Sequence, residues 1–196
     1  MGSIKVCGHA EIEMVPDTAT ITIRAEAVDD WTGDAVTKMS ILVNKVIDKL
    51  RNEHSILMKD IKTGTLSVST DKEYSNGRTI IHGQKAEESI ILTLHNIDKI
   101  APVFNTLSAI DGIEISTPSL SSSKAQDYLD KARKAAVKDA MHKAKIYAEA
   151  AGKELGDIIS ISDIQNEACA LPMRSGIQYI PDNPKVSVSI EMEFRI

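Results

Sequence analysis

Residues 131–156, KARKAAVKDAMHKAKIYAEAAGKELG, restrict this chain more than any other stretch. They hold no proline and keep glycine to the end, and their alanine, lysine and glutamate content predicts a helix. Its apolar side is made mostly of alanine. At about 3.6 residues per turn, Ala136, Ala140, Ala144, Tyr147, Ala148 and Ala151 fall on one arc of about 120°, with Val137, Met141 and Leu155 inside it or at its edge. Lys134, Lys138, His142, Lys145 and Glu149 lie opposite. Helix axes approach more closely where the contacting side chains are small. The stripe therefore predicts a helix pressed onto a sheet of the same chain, with a close helix–helix contact between subunits as the alternative. Arg133 interrupts the alanine arc. Either it is internal and paired, because an unpartnered buried guanidinium is very costly, or the first turn overhangs the core and Arg133 reaches water.

Alternation and punctuation supply the other elements. Residues 4–14 place apolar or small side chains at every second position, and "PD" at Pro16 and Asp17 is a turn signal. Then TATITIRAEAV alternates, with Ala19, Ile21, Ile23, Ala25 and Ala27 on one face, which predicts a strand in a hairpin with the first. Residues 31–53 form an amphipathic helix on Ala35, Val36, Met39, Leu42, Val43, Val46, Ile47 and Leu50. A strand at TLSVST, a turn at YSNG and a long strand with an irregularity at Gly83 follow. A short helix at 98–107, a short strand and a small polar loop, PSLSSSK, lead into the alanine helix. After it come a strand at LGDIISISDI, a long aperiodic loop at 165–184 and a terminal alternating strand, KVSVSIEMEFRI. The order is β-β-α-β-β-α-β-α-β-β, an α+β fold with a mostly antiparallel sheet and helices packed on one face. Residues 1–196 read as a single domain, with an inserted smaller lobe at 58–121.

Composition excludes several classes. The net charge of -5 over 196 residues argues against a nucleic-acid binder, and no apolar run is long enough to span a membrane. Aromatics are only 4% of the chain, so the core is aliphatic. Cys7 and Cys169 stand far apart and form no framework; buried thiols are expected, or one long-range disulfide in an exported protein. As it stands the chain reads as cytoplasmic, and as periplasmic or exported if a leader was trimmed.

Three fragments invite an enzyme reading. Ser121 and Lys124 in SSSK have the spacing of serine acylases, whose serine opens a helix one turn from a lysine base. KTG at 62–64 and YSN at 74–76 complete that set, in reverse chain order; each also reads simply as a cap, a strand start and a turn. His9, His54, His82, His95 and His142 form no metal-binding spacing, and no cofactor fingerprint is present. Cys7 is expected to be buried in its strand, which leaves Cys169 as the better thiol.

Two blocks, IKVCGHAEIEMVPDTATITI and ARKAAVKDAMHKAKIYAEAAGKELGDIISISD, resemble the SIMPL-domain family. The matching positions are Gly8, Pro16, Asp17, Ala132, Arg133, Ala136, Ala140, Lys143, Ala144, Gly152, Leu155 and Gly156. The likeness covers nearly the whole chain, but residues 54–121 match in pattern only. The resemblance implies exported bacterial proteins linked to oxidative-stress defence, a periplasmic immunogenic protein forming ring-like oligomers, and an animal kinase adaptor, with no shared catalytic set. The chain is thus expected to be a non-enzymatic homo-oligomer acting through protein contacts, with no cofactor, metal or nucleic-acid partner. Strands 4–14 and 185–196 are long and free of proline, so either would expose an edge for pairing between subunits. Lys5, Glu11, Glu13, Glu191, Glu193 and Arg195 would provide complementary charges there. The rivals are a small serine hydrolase or acyl-transfer enzyme using Ser121 and Lys124, and a thiol redox protein using Cys169.

Overall fold

The structure, a computed structural model, describes residues 2–75, 77–164 and 183–196. Among them the chain forms β1 (Ser3–Glu13), β2 (Thr18–Asp29), α1 (Thr32–His54), β3 (Ile61–Thr63), β4 (Ser67–Ser75), β5 (Arg78–Leu94), α2 (Ile100–Leu107), β6 (Ile113–Ile115), β7 (Ser119–Ser121), α3 (Ala125–Ala150), β8 (Ile158–Ile164) and β9 (Lys185–Arg195). The pairing is antiparallel, and the class is the expected α+β. The strands build two sheets where the sequence suggested one. One runs β1-β9-β8, the other β3-β5-β2-β6, with β4 also on β5 and β7 on β2. Three-residue strands β3 and β7 add to the expected order; they are too short for alternation to mark them.

The chain divides into two compact units, whose described residues are 2–16, 121–164 and 183–196 for the first, and 17–75 and 77–120 for the second. In the first, β1 pairs with β9 from Ser3↔Arg195 to Glu13↔Lys185, and β8 lies on the other side of β9. The alternation of β9 buries Val186, Val188, Ile190, Met192 and Phe194 together with Val6, Met14 and the alanines of α3. Its outer face is polar and cross-linked: Lys5 meets Glu191 at 2.7 Å, Lys185 meets Glu11 at 2.8 Å, and His9 Nδ1 lies 3.2 Å from Ser189 Oγ.

The second unit packs α1 on β2 and β5, and Ala35, Met39, Val43, Val46 and Leu50 are the buried row that their spacing predicted. The segment 58–121 lies almost wholly in this unit, which also takes in β2 and α1 because β5 pairs with β2 from Ala19↔Leu94 to Asp29↔Gln84. The irregularity expected at Gly83 is a register shift opposite Asp71 and Lys72. Gly83 has φ +141, and a Cβ there would stand 2.6 Å from the Asp29 carbonyl oxygen, so glycine is required.

The predicted β1–β2 hairpin does not form. Pro16 ends the first segment of the first unit and Asp17 begins the second unit, and each strand finds its partner far away in sequence. A two-residue hairpin needs residues at positive φ, and none lies between Met14 and Thr18. Met14 instead donates its N–H to the Pro184 carbonyl at 2.7 Å, continuing the β1–β9 ladder.

Candidate functional site

In the first unit α3 crosses β1 at close range. Ala132, Ala136, Ala140, Ala144 and Ala148 are all buried, a row at intervals of four. Tyr147 and Ala151, on the same arc by sequence, are exposed instead. An i, i+4 row is inclined to the helix axis and follows a twisted sheet, whereas a straight arc does not. Gly8 completes the contact. A Cβ at Gly8 would lie 2.0 Å from the Ala136 carbonyl oxygen and 2.7 Å from both N and Cβ of Ala140, so only glycine fits.

Two polar side chains of α3 hold the same crossing. Asp139 accepts the His9 N–H at 2.9 Å, and Lys143 Nζ donates to the Cys7 carbonyl at 3.0 Å while pairing with Asp139 at 2.6 Å. The Lys143 ammonium and the His9 N–H hold the Asp139 carboxyl below the usual carboxylate range, and Asp139 raises Lys143 in turn. A depressed carboxylate stabilises the fold above its ordinary pKa, and that contribution is lost as pH falls through the lowered value.

The other family-motif residues are also placed. Gly152, at φ +65, ends α3; its N–H donates to Glu149 at 3.0 Å and that of Lys153 to Ala148 at 2.9 Å, the Schellman arrangement. Leu155 packs on the alanine core, and Gly156 N–H donates to the Arg195 carbonyl at 2.8 Å. Both readings of Arg133 hold in part: its side chain is 42% exposed, yet it pairs with Asp130 at 3.3 Å and Asp163 of β8 at 3.4 Å. Exposed pairs contribute roughly 0.2–1 kcal/mol. Arg133→Met is therefore expected to lower stability by less than about 1 kcal/mol in urea titration, and a loss near 3 kcal/mol would show a buried charge instead.

The acylase geometry is not formed. Ser121 closes β7 and Lys124 precedes Ala125, the first residue of α3, so the two do not lie one helical turn apart. Ser122 shapes that entry instead, its Oγ accepting the Lys124 N–H at 3.3 Å. KTG begins in β3, and Tyr74 and Ser75 end β4. Cys7, expected to be buried, is exposed: Val6 and Gly8 take the inward positions of β1, so period two turns Cys7 outward. Cys169 and most of the 165–184 loop lie outside the described residues. Among the described residues no three of His, Cys, Asp and Glu are grouped as a metal would need, and no helix is long and apolar enough to cross a membrane.

The strand read at LGDIISISDI forms as β8, and what sequence reading missed is its exposure. Among the described residues it is an edge strand, and every residue in it is exposed, including Ile158, Ile159, Ile161 and Ile164. Asp163 meets Arg133, so β8 runs along the flank of α3 that carries Arg133, Val137 and half-exposed Met141. The signal was present: IISISDI holds four isoleucines and one charge.

These features define a two-unit α+β protein whose candidate surface, among the described residues, is an exposed sheet edge beside an alanine-faced helix. Residues 4–194 match the SIMPL family, described as a protein of unknown function (DUF541), and the chain belongs to that family. It is 30% identical over 158 residues to the uncharacterized protein YggE of Escherichia coli K12, covering 81% of this chain and 64% of that protein. YggE of Edwardsiella ictaluri is 28% identical over 155 residues, 79% of this chain and again 64% of the relative. The chain thus spans a little under two thirds of these curated relatives. The 26 kDa periplasmic immunogenic protein of Brucella melitensis is 25% identical over 193 residues, 92% of this chain and 76% of that protein.

Proposed function

We propose that the protein is a non-enzymatic, self-associating member of its family that acts through protein–protein contacts in stress protection. The observation that supports this is the β8 edge, where four exposed isoleucines stand on an outer strand of the sheet. Unpaired backbone groups on such a strand favour strand addition, and natural proteins normally block them. The protective role follows the family resemblance, and the Brucella relative's name supports a periplasmic setting. Light scattering at tens of micromolar protein and near-physiological salt is expected to give at least twice the mass of one chain. A single-chain mass would remove self-association. Unchanged survival under peroxide in cells lacking the gene would remove the protective role.

A further inference from the structure

We propose that β8 is the strand through which two copies of this chain pair, antiparallel about a two-fold axis at Ile161, joining their β1-β9-β8 sheets into one. This rests on the self-association reading and names its surface. The other described edges are closed to such pairing. β9 is central in its sheet, and the Lys5, Glu11, Lys185 and Glu191 charges that would have joined subunits join β1 to β9 within one chain. The outer edge of β1 is held at Cys7 and His9 by Lys143 and Asp139. β3, β6 and β7 have three residues each. β4 carries Asp71, Lys72 and Glu73 in sequence, so a two-fold pairing centred on any of them sets like charges opposite each other.

β8 has none of these protections. It contains no proline or lysine, and its one charge, Asp163, is engaged by Arg133. It is also self-complementary. A two-fold axis at Ile161 sets Ile161 opposite Ile161 and Ser160 opposite Ser162; the register shift between Ile158 and Ser160 leaves Ile158 on the α3 face, opposite Phe194, and Ile164 on the outer face, opposite Ser189, so the pairing is centred on residues 160–162. Asp163 then faces Ile159, and no like charges meet. Ile161 pairs with buried Met192 across β9, so its side chain points to the α3 side of the sheet. There it is 55% exposed, with Ile158 and Met141 nearly as open. The second copy would cover that apolar strip, and the isologous contact closes at the dimer.

The test uses the full chain. Ile161→Cys, with Cys7→Ala and Cys169→Ala, places two thiols opposite each other across the two-fold axis, within reach of a disulfide. Mild oxidation is expected to make the covalent dimer the main species, while Val68→Cys on β4 in the same background stays single. Ile161→Lys is expected to lower the mass in light scattering at least twofold while far-UV circular dichroism is unchanged. A multimeric wild type with no cross-link at Ile161→Cys and no loss of mass in Ile161→Lys would overturn the β8 assignment alone. A wild type of single-chain mass would overturn self-association itself and leave the β8 edge to a strand of another protein.

Discussion

Gly8→Ala is expected to destabilise the protein by about 3–5 kcal/mol, above the usual range for an overpacked site. The added methyl would stand 2.0 Å from the Ala136 carbonyl oxygen and 2.7 Å from Ala140 N. Both are backbone atoms of a helix, so no side chain can rotate to relieve the contact. α3 would have to lift from β1, loosening the buried alanines and breaking the bonds from Lys143 to Cys7 and from His9 to Asp139. Gly33→Ala is the control: nothing stands within 4 Å of a Cβ there, and alanine is expected to be neutral or mildly stabilising. Urea midpoints for the two variants check this. Equal midpoints would show that α3 does not approach β1 this closely.

Ala140→Leu attacks the same crossing from the helix side. Ala140 is buried, and its Cβ would be 2.7 Å from a methyl at Gly8, so leucine puts three further carbons against the β1 backbone. The expected cost is about 2–3 kcal/mol, because a side chain facing backbone has little space to repack. Lys138→Leu, on the solvated face, is expected to change stability by less than about 0.5 kcal/mol. The same result for both variants in chemical denaturation would mean that the alanine row is not the buried one.

The helices were legible because their signal is local. α1 shows its buried row at intervals of three and four, and α3 shows both its alanine face and its lysine face within one continuous segment. The alternation of β2 and β9, the irregularity at Gly83 and the glycine stop of α3 likewise depend on near neighbours. The placement of Cys7 was legible as well: the alternation that assigned Val6 and Gly8 to the core turns Cys7 outward, and reading strand membership as burial was the error.

By itself, then, the sequence determined the type of the longer elements, the buried rows of α1, β2 and β9 and the α+β class, because periodicity is fixed by backbone geometry over a few residues. Strand partnership was decided only in three dimensions. β1 and β9 meet across most of the chain length, and β2 joins β5 instead of its neighbour β1. Alternation says which way a side chain points but not which strand lies beside it, and local sequence does not encode that choice. Gly8 shows the same division. Its identity was visible from the start, but the requirement for glycine comes from the Ala136 carbonyl oxygen, a backbone atom 128 positions away that only the packed structure brings into contact. The candidate surface lay furthest from view: IISISDI reads like any strand, and its exposure goes with its place in the sheet, where β9 has β1 on one side and β8 on the other, with no further strand beside β8 among the described residues.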